Sequence, residues 1–158
     1  MALALRTVAG DPEGADSRAI WQWRNDPVTR AMSRNTAEVP WPDHVRWFAA
    51  AVVDPRRTLL MVMRGADTVG VVRFDALGPG EAEININLDP ALRGQGLGKQ
   101  ALEAACAHGL GGMGLGRIYA EVRPENLASV RIFEGVGFLF AGERDGLRTY
   151  WKTRGQAG

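Results

Sequence analysis

Eight residues in the middle of the chain alternate without a break. In EAEININL (81–88) the even positions Ala82, Ile84, Ile86 and Leu88 are apolar, and the odd positions Glu81, Glu83, Asn85 and Asn87 are polar. That period of two sends successive side chains to opposite faces of a strand. One face meets a core and the other can line a cleft. Shorter runs surround it. LALRTVA (3–9) alternates weakly and predicts a first strand, and RTLLMVM (57–63) with TVGVVRF (68–74), separated by the turn RGAD, predicts a hairpin. RIYAEVR (117–123) is a further strand. FLFAGER and LRTYWKTR form a closing hairpin around Asp145-Gly146, a pair suited to a type I′ turn.

Helical patterns fill the spaces between these runs. From Asp16 as N-cap, SRAIWQWRN makes a short helix that stops before Pro27, because the residue preceding a proline is pushed out of the α region. A second runs from about Pro42, a good first-turn residue, through DHVRWFAAAVV and stops before Pro55. A third spans about 96–108 and a fourth about 126–135, with GLGGMGLG (109–116) as a loop. The order β, α, α, β, β, β, α, β, α, β, β mixes hairpins with crossover helices. It implies an α+β protein with a largely antiparallel sheet flanked by helices.

Composition narrows the possible partners. A chain of 158 residues suits one domain, here 1–158, able to bury about 70% of its unfolded surface. The net charge of +1 argues against a dedicated nucleic-acid binder. Of the 19 basic residues 17 are Arg, which favours bidentate contacts to phosphate or carboxylate, although a GC-rich genome would give the same bias. One cysteine, Cys106, excludes an internal disulfide and a Cys-cluster metal site, and His44 and His108 add no metal pattern, so no metal is expected. No run of about 18 apolar residues exists and MALALRTVAGDPEG lacks a basic n-region, so neither a membrane span nor a signal peptide is expected and the cytoplasm is the expected location.

The candidate chemistry lies where the alternating strand ends. NLDPALRGQGLGKQ fails the Walker A pattern, with Arg93 at its first glycine and Gln100 at its Ser/Thr. It also fails the dinucleotide fingerprint, with Lys99 at the third glycine. What is left is a glycine-rich turn whose backbone N–H groups open a helix, an anion site suited to a pyrophosphate with Arg93 and Lys99 alongside, or else only a tight strand-to-helix turn.

Read as R-x-x-G-x-G (Arg93, Gly96, Gly98) after INLDP, the stretch resembles the acetyl-CoA-binding motif of the GCN5-related N-acetyltransferase (GNAT) superfamily. ENLASVRIFEGVGF (125–138) resembles that superfamily's next motif, N-x-x-S/A followed by a helix and a terminal GF, and the resemblance covers residues 81–151. It implies acetyl-CoA as co-substrate and a primary amine as acceptor, with the cofactor wedged between splayed strands 81–88 and 117–123. On this reading the backbone of Ile86 and Leu88 holds the thioester and pantetheine. Gly94, Gln95, Gly96, Leu97, Gly98 and Lys99 cradle the pyrophosphate beside Arg93. Asn126 touches the pantetheine arm, and Arg131 touches the adenosine phosphates or is a solvated helix position.

Amine attack on a thioester needs a proton acceptor, an oxyanion donor and a route for the thiolate to leave. Glu83 matches a Glu common in the ribosomal-protein acetyltransferase branch and is the candidate base, directly or through water, or else a solvent-facing strand residue or the partner of an arginine. The Leu88 N–H is the candidate oxyanion donor. Many relatives carry a tyrosine seven residues after the motif asparagine as general acid, but Phe133 stands there. Ser129 is the candidate donor in its place, although a thiolate can also leave unassisted.

WQWRNDPVTR (21–30) with HVRWF (44–48) resembles the acetyltransferases of the pseudaminic acid pathway, which acylate an amino group of a UDP-linked sugar. That implies substrate contacts from Trp23, Arg24, Asn25, Arg30 and His44, with Arg46 as a further diphosphate ligand. The alternatives are acetylation of a protein N-terminus, as in the ribosomal-protein branch, and an inert acyl-CoA-binding module. A homodimer is an expected assembly.

Overall fold

A computed structural model of the chain describes residues 2–155. The elements follow the order β1 (Ala4–Thr7), α1 (Ala15–Arg24), α2 (Pro27–Met32), α3 (Trp41–Ala51), β2 (Arg57–Arg64), β3 (Asp67–Gly78), β4 (Glu81–Leu88), α4 (Leu97–Ala107), β5 (Arg117–Val122), α5 (Leu127–Gly135), β6 (Leu139–Arg144) and β7 (Leu147–Thr153). The strands form one sheet in the order β1-β2-β3-β4-β5-β7-β6, antiparallel throughout except for the β4–β5 pair. Helices cover both faces, as the α+β reading requires.

Alternation along the central strands feeds two cores. Leu60, Val62, Val72, Phe74, Ala82, Ile84, Ile118 and Ala120 pack beneath α4 and α5, while Leu59, Met61 and Val71 pack beneath α1 and α3. Each helix meets its core along one stripe. His44, Phe48 and Ala51 of α3, and Leu97, Ala101, Leu102 and Ala105 of α4, recur at the three-to-four spacing of a single helical face.

Four boundaries differ from the expected ones, each for a local reason. Pro27 ends α1 but also starts α2, because Asp26 accepts the Thr29 N–H and the proline sits at the first turn. Asp16 does not cap α1, whose N-cap is Gly14. Its buried carboxylate instead takes two hydrogen bonds from Arg6, at 2.6 and 2.9 Å, and one from the Ala9 N–H at 2.8 Å, and a guanidinium is a stronger partner than a helix amide. The glycine loop after α4 begins with a π turn over His108–Gly112. β3 runs on to Gly78, four residues past the expected end. The closing turn is type I′, with φ of 52° at Asp145 and 77° at Gly146. No helix among the described residues is long and apolar enough to cross a membrane.

Candidate functional site

The sheet divides at β4 and β5. The two strands pair at only three positions, Glu81 with Arg117, Ala82 with Ile118 and Glu83 with Tyr119. Beyond that fork β4 stays bonded to β3 as far as Leu88 against Gly70, and β5 stays bonded to β7 as far as Val122 against Arg148. A wedge-shaped gap therefore opens between them. Asp89 N donates to Val69 O at 2.9 Å, toward β3, so alternation along the strand turns the N–H and C=O groups of Ile86 and Leu88 into the gap.

The wide end of the gap leads to the glycine turn. Asp89 accepts the Ala91 N–H at 3.0 Å and caps a single 3₁₀ turn, after which Gly94 and Gly96 take φ values of +80° and +72°. Both lie in the left-handed region, and a Cβ at either would meet nothing within 4 Å. Glycine there serves the backbone turn and leaves its outer surface open. Among the described residues, the N–H groups of Gly94, Gln95, Gly96, Leu97 and Gly98 have no acceptor in the chain, and they stand at the positive end of α4. Gly98 has a separate packing reason, since a Cβ there would come within 2.8 Å of Ile132. The side chains around the turn are partly engaged: Arg93 pairs with Asp26 and donates to Thr29 Oγ1 at 3.2 Å, and Arg64 donates to Gln95 at 3.3 Å. Lys99 lies 4.0 Å from Glu103.

Across the gap, Asn126 caps α5 by accepting the Ser129 N–H at 3.2 Å. Ser129 is half-buried and Arg131 exposed, and neither side chain has a polar partner among the described residues. Phe133 points away from the gap into the core, edge-on to Phe138 at 4.9 Å and stacked near Tyr150 at 6.4 Å. Cys106 is a core residue whose thiol burial pushes up to about 12.

Glu83 sits at the fork itself, on the face opposite α4 and α5. Arg34, from the α2–α3 connection, donates to Glu83 at 2.7 Å and also to Glu121 of β5, while the Tyr119 hydroxyl donates to Glu121 at 2.9 Å. Burial, and then the adjacent Glu121 carboxylate, push the Tyr119 hydroxyl up to about 12. These residues line a cavity of about 720 Å³ with Arg123, Arg144 and Trp151. Five residues of extended strand separate Glu83 from Leu88, about 16 Å at about 3.3 Å per residue. Ile86 is nearer, at about 10 Å by the same measure. The alternation of RIYAEVR carried a signal for Tyr119 and Glu121 on one face. Nothing periodic marks Arg34.

The expected acceptor residues mostly serve the fold. Trp23 is 6% exposed and lies in the core with Ile20 and Phe48. Both ends of the Asn25 amide bond the Val39 backbone, at 2.8 Å each, and clamp the α2–α3 connection. His44 is fully buried, 2.9 Å from Ser17 Oγ, and burial lowers its pKa. Arg24 is half-buried and lies with Arg73 against the Trp47 ring, at 5.4 and 5.7 Å, its pKa lowered by burial and by Arg73. The Arg30 Nε is buried without a partner, and Arg46 pairs with Asp43 on the surface. A second hollow of about 460 Å³ lies between α1 and the end of β4, lined by Trp21, Asp26, Glu38 and Asp89. No group of three or more His, Cys, Asp or Glu among the described residues is placed to hold a metal ion.

Known proteins share this arrangement. Residues 3–139 match the family model described as an acetyltransferase (GNAT) domain. The N-alpha-acetyltransferase RimI of Mycobacterium tuberculosis is 30% identical over 141 residues, which cover 81% of this chain and 84% of that protein. A spermidine N-acetyltransferase from Vibrio cholerae, solved with CoA and spermine, superposes with a TM-score of 0.85 at 18% identity, covering 98% of this chain and 96% of the other. An aminoglycoside acetyltransferase solved with coenzyme A gives 0.80 at 18% identity over 97% and 95%. The chain belongs to the GNAT acetyltransferase family.

Proposed function

We propose that this acetyl-CoA-dependent N-acetyltransferase receives its co-substrate in the gap between β4 and β5 and its amine from the Glu83 face. The observation that carries the reading is the fork: two neighbouring strands paired over three residues and then apart, with backbone groups facing the opening. The unpaired amides of Gly94 to Gly98, with Lys99, suit a diphosphate. Acetyl-CoA supplies an acetyl group activated as a thioester.

The chain's own groups divide the remaining work. Ile86 and Leu88 offer strand-like hydrogen bonds to an extended amide arm, with the Asn126 side chain facing it. The Ile86 N–H is nearer the base than that of Leu88, so Ile86 is the better donor to the carbonyl oxygen as it gains charge. Leu88 then serves the arm. Glu83 accepts the proton of the acceptor ammonium, directly or through one water. Phe133 has no proton to give, so the departing thiolate takes one from the Ser129 hydroxyl or from solvent, or leaves unassisted. Arg131, exposed and without a polar partner among the described residues, meets the adenosine phosphates.

For the acceptor, the first reading is the amino group of a nucleotide-linked amino sugar. Its support is now the cavity, where Arg144 offers a phosphate donor and Trp151, with one ring face under Arg117, an aromatic wall. The α-amino group of a protein is the second reading, favoured by the relative named as an N-alpha-acetyltransferase. Calorimetry with acetyl-CoA, followed by assay of free CoA on adding UDP-amino sugars or N-terminal peptides, separates them. Absence of CoA binding would sink the transferase reading. Binding without release on either amine would favour the inert module.

A further inference from the structure

The wall of the acceptor cavity contains a cation supplied by the chain itself. Arg34 bridges Glu83 on β4 and Glu121 on β5, so one guanidinium spans the two strands at the fork. The carboxylates are nearly enclosed, with side-chain exposures of 14% and 11%, whereas the Arg34 side chain is 63% exposed and reaches in from solvent. Their other partners differ. Glu121 keeps the Tyr119 hydroxyl, but Glu83 has only Arg34 among the described residues. The backbone beside Arg34 is held separately, since Arg123 donates to the Ser33 carbonyl at 3.0 and 2.8 Å. The Arg34 side chain can therefore swing out while the connection stays docked.

We propose that Arg34 occupies the place of the acceptor's ammonium and that a cationic amine binds by displacing it from Glu83 and Glu121. This rests on the acceptor reading above and adds the selectivity device. While Arg34 is in place, its N–H groups take the Glu83 lone pairs that would receive the acceptor's proton. An ammonium brings three donors and can serve both carboxylates at once. A neutral amide or hydroxyl cannot replace the lost charge, so the bridge admits cations and turns away neutral ligands. Arg34 is thus a specificity-determining residue that acts through Glu83.

The test uses the full chain saturated with CoA and 1,4-diaminobutane as probe, with the Kd measured by calorimetry. Removal of the internal competitor in Arg34→Ala tightens the probe by about twofold to fivefold, the upper part of what an ion pair near the surface contributes. Arg34→Lys, which keeps the competitor, stays near the wild-type Kd. Adding Glu121→Gln to Arg34→Ala reverses the gain. Arg34→Gln is the second variant should the alanine protein fold poorly. A merely structural Arg34 would leave the amine Kd unchanged or weakened on truncation, and that result, or absence of probe binding to every variant, overturns the proposal. The Kd for CoA is read in a separate titration of each CoA-free variant: if it holds while the amine gains nothing, the Arg34 proposal alone has failed.

Discussion

Glu83 has a partner for its charge and a position for its chemistry, and only measurement on variants separates the two. Glu83→Gln should lower kcat by about a hundredfold, the usual worth of a positioned base, while leaving the Kd for acetyl-CoA unchanged. Equal activity in the variant would reduce Glu83 to half of an ion pair. His44 makes a prediction about pH. It is fully buried, and burial lowers its pKa below the unfolded value of about 6.5. Between that value and the lower folded one, the unfolded chain binds a proton that the folded chain does not, so stability falls as the solution is acidified through this window. Thermal melts from pH 7 to pH 5 should show the slope in the wild type and its loss in His44→Gln. Glu83 was legible because it sits in an alternating strand. The burial of His44 was not, since a helical histidine reads alike on either face until the neighbouring aromatics are placed.

Short elements carry more here than their lengths suggest. Six-residue α2 depends on Asp26, which caps it and also holds Arg93 of the glycine turn. Asp26→Ala should cost about 1 kcal/mol from the lost cap, lowering Tm by about 2–4 °C for a chain of this size. The same change frees Arg93, so acetyl-CoA binding should hold or tighten, as calorimetry can establish; weaker binding would mean that Arg93 serves the site from its place on Asp26. The dipeptide Asp26-Pro27 carried the signal for α2, a capping residue followed by a first-turn proline. It was masked because the same proline also terminates α1. The strand β4 was fully legible, down to which side chains face the core and which line the cleft.

At the scale of the whole molecule, the sheet ends on β1 and β6, and the β6 edge carries large exposed apolar side chains. β6 pairs only with β7 and exposes Leu139 at 59% and Phe140 at 50%, and an edge strand with exposed apolar side chains is a ready surface for pairing. A homodimer formed along β6 is the assembly this favours. Sedimentation velocity across a concentration series should show a dimer in the wild type and a monomer in Phe140→Asp. A monomer in both would remove the edge from consideration.

What the sequence determined by itself is what rests on local periodicity and turn chemistry. It covers the strand order and every long helix but not the short α2, the two faces of β4, the glycine turn opening α4, and the type I′ turn at Asp145-Gly146. The tertiary structure decided everything that depends on where separate segments meet. It opened the gap, because β4 and β5 are each held more extensively by their outer neighbours, β3 and β7, than by each other. It also brought Arg34 of an aperiodic connection onto Glu83 and Glu121, 49 and 87 residues away in the chain. Periodicity reports which face a side chain occupies, and it contains no term for the partner that arrives from elsewhere.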